Sequence, residues 1–218
     1  MTTSYTFFRD GSGAAKIYLG EWKEDDRNQP TEYRVTISNK SAELYDERNI
    51  YQRREPILWA SFKSSCNKKK GEMHGYNTTF SFGKHGFWKT RWTFIDSLDQ
   101  NKEYTWEIGG WETRWKLKLE GSENVIAEFH RASLSIKRQG VLTLYQQVPP
   151  HLLSCIILTH KILHKNLKEE EAQRGVYSIL KKKVRSDSEF GDLKQNAKPF
   201  SFFNAISIEV IDALFHIY

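Results

Sequence analysis

Pro149-Pro150-His151-Leu152-Leu153-Ser154-Cys155-Ile156-Ile157-Leu158-Thr159-His160-Lys161-Ile162-Leu163-His164-Lys165-Asn166-Leu167 is the stretch on which the fold turns. Beyond Pro150 it holds no proline or glycine, so nothing in it breaks a helix. Leu152, Leu153, Cys155, Ile156, Ile157 and Leu158 place apolar side chains on nearly every side of that helix. Ile162 and Leu163 then carry a narrower apolar stripe toward Leu167. A helix that is apolar all round is a buried one. Crossing a bilayer takes about 20 apolar residues, and this run breaks at Thr159-His160-Lys161 after far fewer. The reading is a protein-core helix over about 150–167, with no transmembrane span.

Upstream, the chain supplies a container for such a helix. Short alternating segments follow one another from Tyr5 to Tyr145, separated by turn residues such as Asp10-Gly11-Ser12-Gly13, Pro30, Gly86, Gly109-Gly110, Gly121 and Gly140. In Glu32–Ser38, Tyr33, Val35 and Ile37 point one way and Glu32, Arg34 and Thr36 the other, the period of a half-buried strand. Ile57–Lys63, Met73–Phe82, Trp88–Ile95, Tyr104–Ile108, Trp115–Leu119, Val125–Arg131, Ser133–Ile136 and Val141–Tyr145 read the same way. Ten to twelve strands at this spacing imply a sandwich or barrel. An aromatic share of 14% suits pleated, half-buried surfaces.

Composition narrows the class further. The 218 residues can bury a sizeable core, and 39% hydrophobic with 28% charged residues argues against global disorder. The net charge of +6 is a diffuse basic excess, compatible with phosphate-bearing partners. Cys66 and Cys155 match no redox or metal spacing, and Cys155 reads as a small buried hydrophobe. Met1–Asp10 shows no basic segment followed by an apolar one, so the expected location is intracellular, either cytoplasmic or peripheral to a membrane.

Beyond the helix, Lys168–Arg174 is charged and helix-forming, and Ser186–Lys198 reads as a linker. In Phe200–Tyr218, Phe203, Ile206, Val210, Ile211, Leu214 and Phe215 recur at helical spacing, which describes an amphipathic helix that must dock on something. Two domains are therefore expected: 1–167 with the core helix, and 168–218 as a charged linker and amphipathic helix.

Strands followed by one apolar helix form an unusual order. Ile57-Leu58-Trp59-Ala60-Ser61-Phe62, Tyr104-Thr105-Trp106-Glu107, Val125-Ile126-Ala127-Glu128-Phe129-His130, Gly140-Val141-Leu142-Thr143-Leu144 and the helix Leu152–Lys165 together resemble the tubby C-terminal-like superfamily, and within it an uncharacterised fungal family. Phospholipid scramblases and LURP-one-related proteins share that architecture. The resemblance implies a mainly β fold, a closed antiparallel barrel around a central hydrophobic helix. It covers about Tyr5 to Lys165 and leaves Val176–Tyr218 unmatched, as a C-terminal extension. The lipid-binding lysine motif of the tubby proteins cannot be placed on this chain residue by residue.

Candidate chemistry is sparse. GxSxG, Walker A, GxGxxG and CxxC patterns are all missing. His160 and His164 have the i, i+4 spacing of a metal pair, but Lys161 follows His160 where HExxH needs Glu, and the pair reads as the wet end of the helix. His130 beside Glu128 reads as a strand-edge polar cluster. In Lys84–Trp92, rings and cations interleave as on a base-stacking surface, yet strand alternation sorts them into a core face and a solvated face, so no nucleic acid is expected. No catalytic, metal or cofactor residue is assigned.

The expectation that follows is a non-catalytic binding module. Lys68, Lys69 and Lys70 in one loop, and Lys181, Lys182, Lys183 and Arg185 in a later basic run, are its candidate contacts to anionic phospholipid headgroups. The alternative is a protein-interaction scaffold whose Phe203–Phe215 region docks a partner. A hydrolase would require a polar pocket with converging histidine and carboxylate groups.

Overall fold

The computed structural model describes residues 2–10, 12, 14–22, 29–39, 41–48, 55–61, 70–85, 91–108, 114–132, 135 and 137–189, and the side chains of all of these except 70, 85 and 173–189. Its elements are β1 (Thr3–Arg9), β2 (Ala15–Leu19), β3 (Tyr33–Ile37), β4 (Ser41–Asp46), β5 (Leu58–Ser61), β6 (Lys70–Gly75), β7 (Thr78–His85), β8 (Arg91–Asp96), β9 (Lys102–Ile108), β10 (Arg114–Leu119), β11 (Val125–Arg131), β12 (Arg138–Leu144) and α1 (Pro150–Glu189). Each strand pairs with its sequence neighbours, and β12 returns to β1, with Thr3 opposite Leu144 and Tyr5 opposite Leu142. The result is a closed antiparallel barrel, so no sheet edge is left to pair with another chain.

Alternation along the strands builds the interior. On β5, Leu58 and Ala60 are fully buried while Trp59 between them is 41% exposed. Tyr33 and Val35 on β3, Trp92 and Phe94 on β8, and Leu142 and Leu144 on β12 follow the same rule. Eight-stranded barrels are filled by their own side chains, and the bore widens with strand number. At twelve strands it admits a helix, whose diameter with side chains is about 10–12 Å. Leu152, Leu153, Cys155, Ile156, Ile157, Leu158, Ile162 and Leu163 of α1 are all buried and belong to the same core as the strands.

The helix touches the wall on several sides. The Trp106 indole on β9 donates to the Thr159 hydroxyl at 3.1 Å, and Thr159 donates in turn to the Cys155 carbonyl at 2.7 Å. Ser154 donates to the Pro150 carbonyl at 3.1 Å, which leaves the Tyr76 hydroxyl as donor in the 2.8 Å bond to Ser154. His151 Nε2 lies 3.1 Å from Oδ2 of the fully buried Asp96 at the end of β8. Polar groups inside the barrel thus mostly have partners, as burial requires.

Several sequence expectations change in detail. The single strand expected over Met73–Phe82 is a hairpin, β6 and β7, turned at Tyr76 and Asn77 with φ of 53° and 56°. Positive φ at both central residues is the two-residue turn whose twist suits a hairpin. The strand expected over Trp88–Ile95 is described from Arg91 onward, and most of Ser133–Ile136 lies outside the described residues. The helix expected to end near Leu167 continues to Glu189, through a sequence rich in Lys and Glu, both good helix formers.

The chain divides into two compact units, Met1–Lys168 and Glu169–Tyr218. The first is the barrel with its helix. In the second, the helical residues 169–189 are described.

Candidate functional site

The antiparallel order gives the barrel two ends of different chemistry. The proximal end, where α1 begins, carries the β8–β9 and β10–β11 turns and the end of β4. Glu32, Asp46, Asp99, Glu120 and Glu123 gather there. Among the described residues of that end, Arg48 lies 2.6 Å from Asp46 and 3.6 Å from Glu32, with its guanidinium 4.8 Å over the Tyr33 ring, and Lys102 lies 2.8 Å from Asp99. The Arg48 bond holds the Asp46 carboxyl below the usual carboxylate range, against the opposing effect of burial.

The distal end is basic. β1 ends at Arg9, β8 begins at Arg91, β10 begins at Arg114, β11 ends at Arg131, and Lys137 and Arg138 open β12. The Arg9 N–H donates to the Lys137 carbonyl at 2.8 Å, and Arg131 is in register with Gly140, so these cations share one rim. Carboxylates face some of these cations: Glu107 on β9 is in register with Arg91, and Glu128 on β11 interacts with Arg114, while Asp10 is engaged by the Ser12 N–H at 3.0 Å and its hydroxyl at 2.7 Å. Lys161 of α1 reaches the same end from inside and donates to Gln139 Oε1 on β12 at 2.5 Å. Burial, then Lys168 and Arg9, push its ammonium down to about 7.

Above Lys161 lies a ring of aromatic side chains. His160 is fully buried among Phe7, Trp106, Trp115 and Phe129, with ring centroids 5.0, 5.9, 5.3 and 3.9 Å away. This corrects the expectation that His160 and His164 form the wet end of the helix: both are buried, and desolvation holds both imidazoles well below their usual range. The apolar stretch before them marks a buried helix, but only the barrel wall shows how far along the burial extends. Among the described residues no three His, Cys, Asp or Glu side chains could hold a metal ion together.

One polar recess, of about 250 Å³, opens on the outer wall between Arg91, Thr105, Glu107, Lys118, Glu120 and Glu123. Lys118 lies 3.3 Å from Glu107 and 2.9 Å from Glu123, and Thr105 donates to Glu120 at 3.0 Å, so its charges largely satisfy one another. The His151–Asp96 pair and the Glu128–His130 pair, 3.1 and 3.5 Å apart, lie elsewhere and do not converge on it.

Of the sequence-assigned headgroup contacts, Lys70 opens β6 opposite Gly83, which puts its backbone at the distal rim. Lys68 and Lys69 lie outside the described residues, in the segment between Ser61 and Lys70. Lys181, Lys182, Lys183 and Arg185 have helical backbone within α1, with side chains outside the described set, and Phe203–Phe215 lies wholly outside it. Arg9, Lys161 and Gln139 were missed because residues 9, 139 and 161 meet only through barrel closure.

The site and fold describe a plugged β-barrel with one basic end. No protein-family model and no curated protein matches the chain. Among solved structures, the X-ray structure of a protein from Arabidopsis thaliana, AT5G01750, matches with a TM-score of 0.50 and 10% identity over 75% of this chain and 91% of that one. At this identity the likeness speaks for the fold alone. No helix among the described residues is long and apolar enough to cross a membrane.

Proposed function

We propose that this protein is a non-catalytic, intracellular binding module of the tubby C-terminal-like superfamily, from its fungal branch, which engages anionic phospholipid headgroups through the distal end of the barrel. The observation that carries the reading is the collection of Arg9, Arg114, Lys137 and Arg138 on one rim, while Glu32, Asp46 and Asp99 stand among the described residues of the other. A one-sided field of this kind orients a protein toward an anionic surface and raises its encounter rate. Each basic residue near such a surface contributes about 1 kcal/mol, so a handful suffices for peripheral binding. Lys68, Lys69 and Lys70 join two strands whose described ends, Ser61 and the Lys70 backbone, belong to the same rim. A bore filled by α1 places ligand contacts on rims and outer walls.

Liposome co-sedimentation tests the reading. Vesicles containing phosphatidylserine or a phosphoinositide should retain the protein, neutral phosphatidylcholine vesicles should not, and retention should fall as salt rises. The combined variant Arg9→Glu, Lys137→Glu, Arg138→Glu should abolish retention while the fold persists. Equal retention on neutral and anionic vesicles overturns the proposal.

A further inference from the structure

We propose that the distal mouth of the barrel is a seat for one phosphate group, built on Lys161 of the central helix and flanked by Gln139 and Arg9. Lys161 is 6% exposed, and its ammonium has one described hydrogen-bond partner, the Gln139 amide oxygen. An ammonium has three N–H donors, so two remain to be used. The half-buried Arg34 and Lys118, by contrast, meet carboxylates, Glu47 and Glu107. Lys161 instead meets a neutral amide, and the charges acting on it, Lys168 and Arg9, are both positive.

A buried charge without a counter-charge costs several kcal/mol. Helix propensity and packing would be served as well by Leu or Met at this position. A phosphate oxygen beside Lys161 would supply the missing acceptor through a charge-assisted bond, and the exposed Arg9 guanidinium matches phosphate geometry. Rotating the Gln139 amide would present its NH2 to the same oxygen. The charged groups acting on the ammonium are Lys168 on α1 and Arg9 on β1, and these two, Arg131 on β11 and Lys161 itself all act on the buried His164 imidazole one turn along α1. A free phosphate and the phosphate of a lipid headgroup share this chemistry. The inference rests on the basic end described above and deepens that reading.

Calorimetry of the full chain with inorganic phosphate at pH 8.5, in buffers of differing ionisation enthalpy, tests it. Sulfate, which carries no proton at that pH, is the second probe. Because the free ammonium titrates near 7, binding should draw in about one proton with either anion. Lys161→Arg should retain binding but lose the proton uptake, since a guanidinium does not titrate. Lys161→Met should lose binding at least about tenfold, and Arg9→Gln, at an exposed position that does not endanger folding, should weaken it several-fold. No binding to either anion, or equal binding by wild type and Lys161→Met, overturns the seat. Vesicles containing phosphatidic acid separate the sources: phosphate binding without vesicle binding upholds the seat and overturns the membrane reading. Vesicle binding unchanged in Lys161→Met, with no phosphate binding, overturns the seat alone.

Discussion

The His160 imidazole lies 3.9 Å, centroid to centroid, from the Phe129 ring, and neither of its nitrogens has a hydrogen-bond partner. A buried polar group left unpaired costs about 1–3 kcal/mol. Replacing it with an apolar residue of similar size should remove that cost and keep the packing against Phe7 and Trp115. His160→Leu is expected to raise the urea midpoint, corresponding to a gain of about 1–2 kcal/mol in unfolding free energy. A loss of stability would show that the imidazole has a polar partner.

Protonation should weaken the fold on the acid side. His160 and His164 are held neutral by burial, with nearby cations adding to the effect. Below about pH 6.5 the unfolded chain takes up protons that the folded chain refuses, so stability falls as pH drops, by up to about 1.4 kcal/mol per pH unit for each proton. Lys161 acts in a higher window. Its folded ammonium titrates near 7 and its unfolded one near 10.4, so stability should rise as pH climbs between those values. Comparing His160→Leu and Lys161→Met with wild type across pH 5 to 10 isolates each slope from the carboxylates; parallel curves would refute the assignment.

The helix start is pinned by His151 and Asp96, 3.1 Å apart. The other Asp96 oxygen accepts from the Leu98 N–H at 3.0 Å, so removing His151 leaves a buried carboxylate one partner short. His151→Ala should cost about 2 kcal/mol, since hydrogen bonds to charged groups contribute about 1.5–3. A double-mutant cycle with Asp96→Asn should give a coupling above about 0.5 kcal/mol. Additive denaturation results would show that the pair is incidental.

Gly140 sits where β12 meets both β1 and β11, beside the register shift between Phe7 and Phe8. A Cβ there would fall 2.2 Å from the His130 carbonyl oxygen and 2.4 Å from Phe129. One of those contacts is backbone, so the wall must move. Gly140→Ala should destabilise by about 3 kcal/mol or prevent closure. Thermal unfolding equal to wild type would mean that the strand slips at no cost.

Much of the barrel was legible because strand alternation is local. Val125–Arg131 reads directly as β11, and Tyr33 and Val35 face inward as their spacing says. The hairpin at Tyr76-Asn77 was not legible, since Gly75-Tyr76-Asn77 lacks the Asn-Gly or Asp-Gly pair that signals such a turn. The basic end escaped for another reason: Arg9, Arg114 and Arg138 are isolated in sequence, and only antiparallel closure sets them side by side.

The stretch Pro149–Leu167 shows how the labour divides. Its apolar residues determine by themselves that a helix forms and must be buried, because periodicity and transfer free energy are properties of the segment. They do not determine what buries it or where burial stops. Tertiary structure decides that His160 sits among Phe7, Trp106, Trp115 and Phe129, and that Lys161 meets Gln139 rather than water. The physical reason is distance along the chain: desolvation and charge act through space, and closing β12 onto β1 brings together residues that the sequence holds more than 100 positions apart.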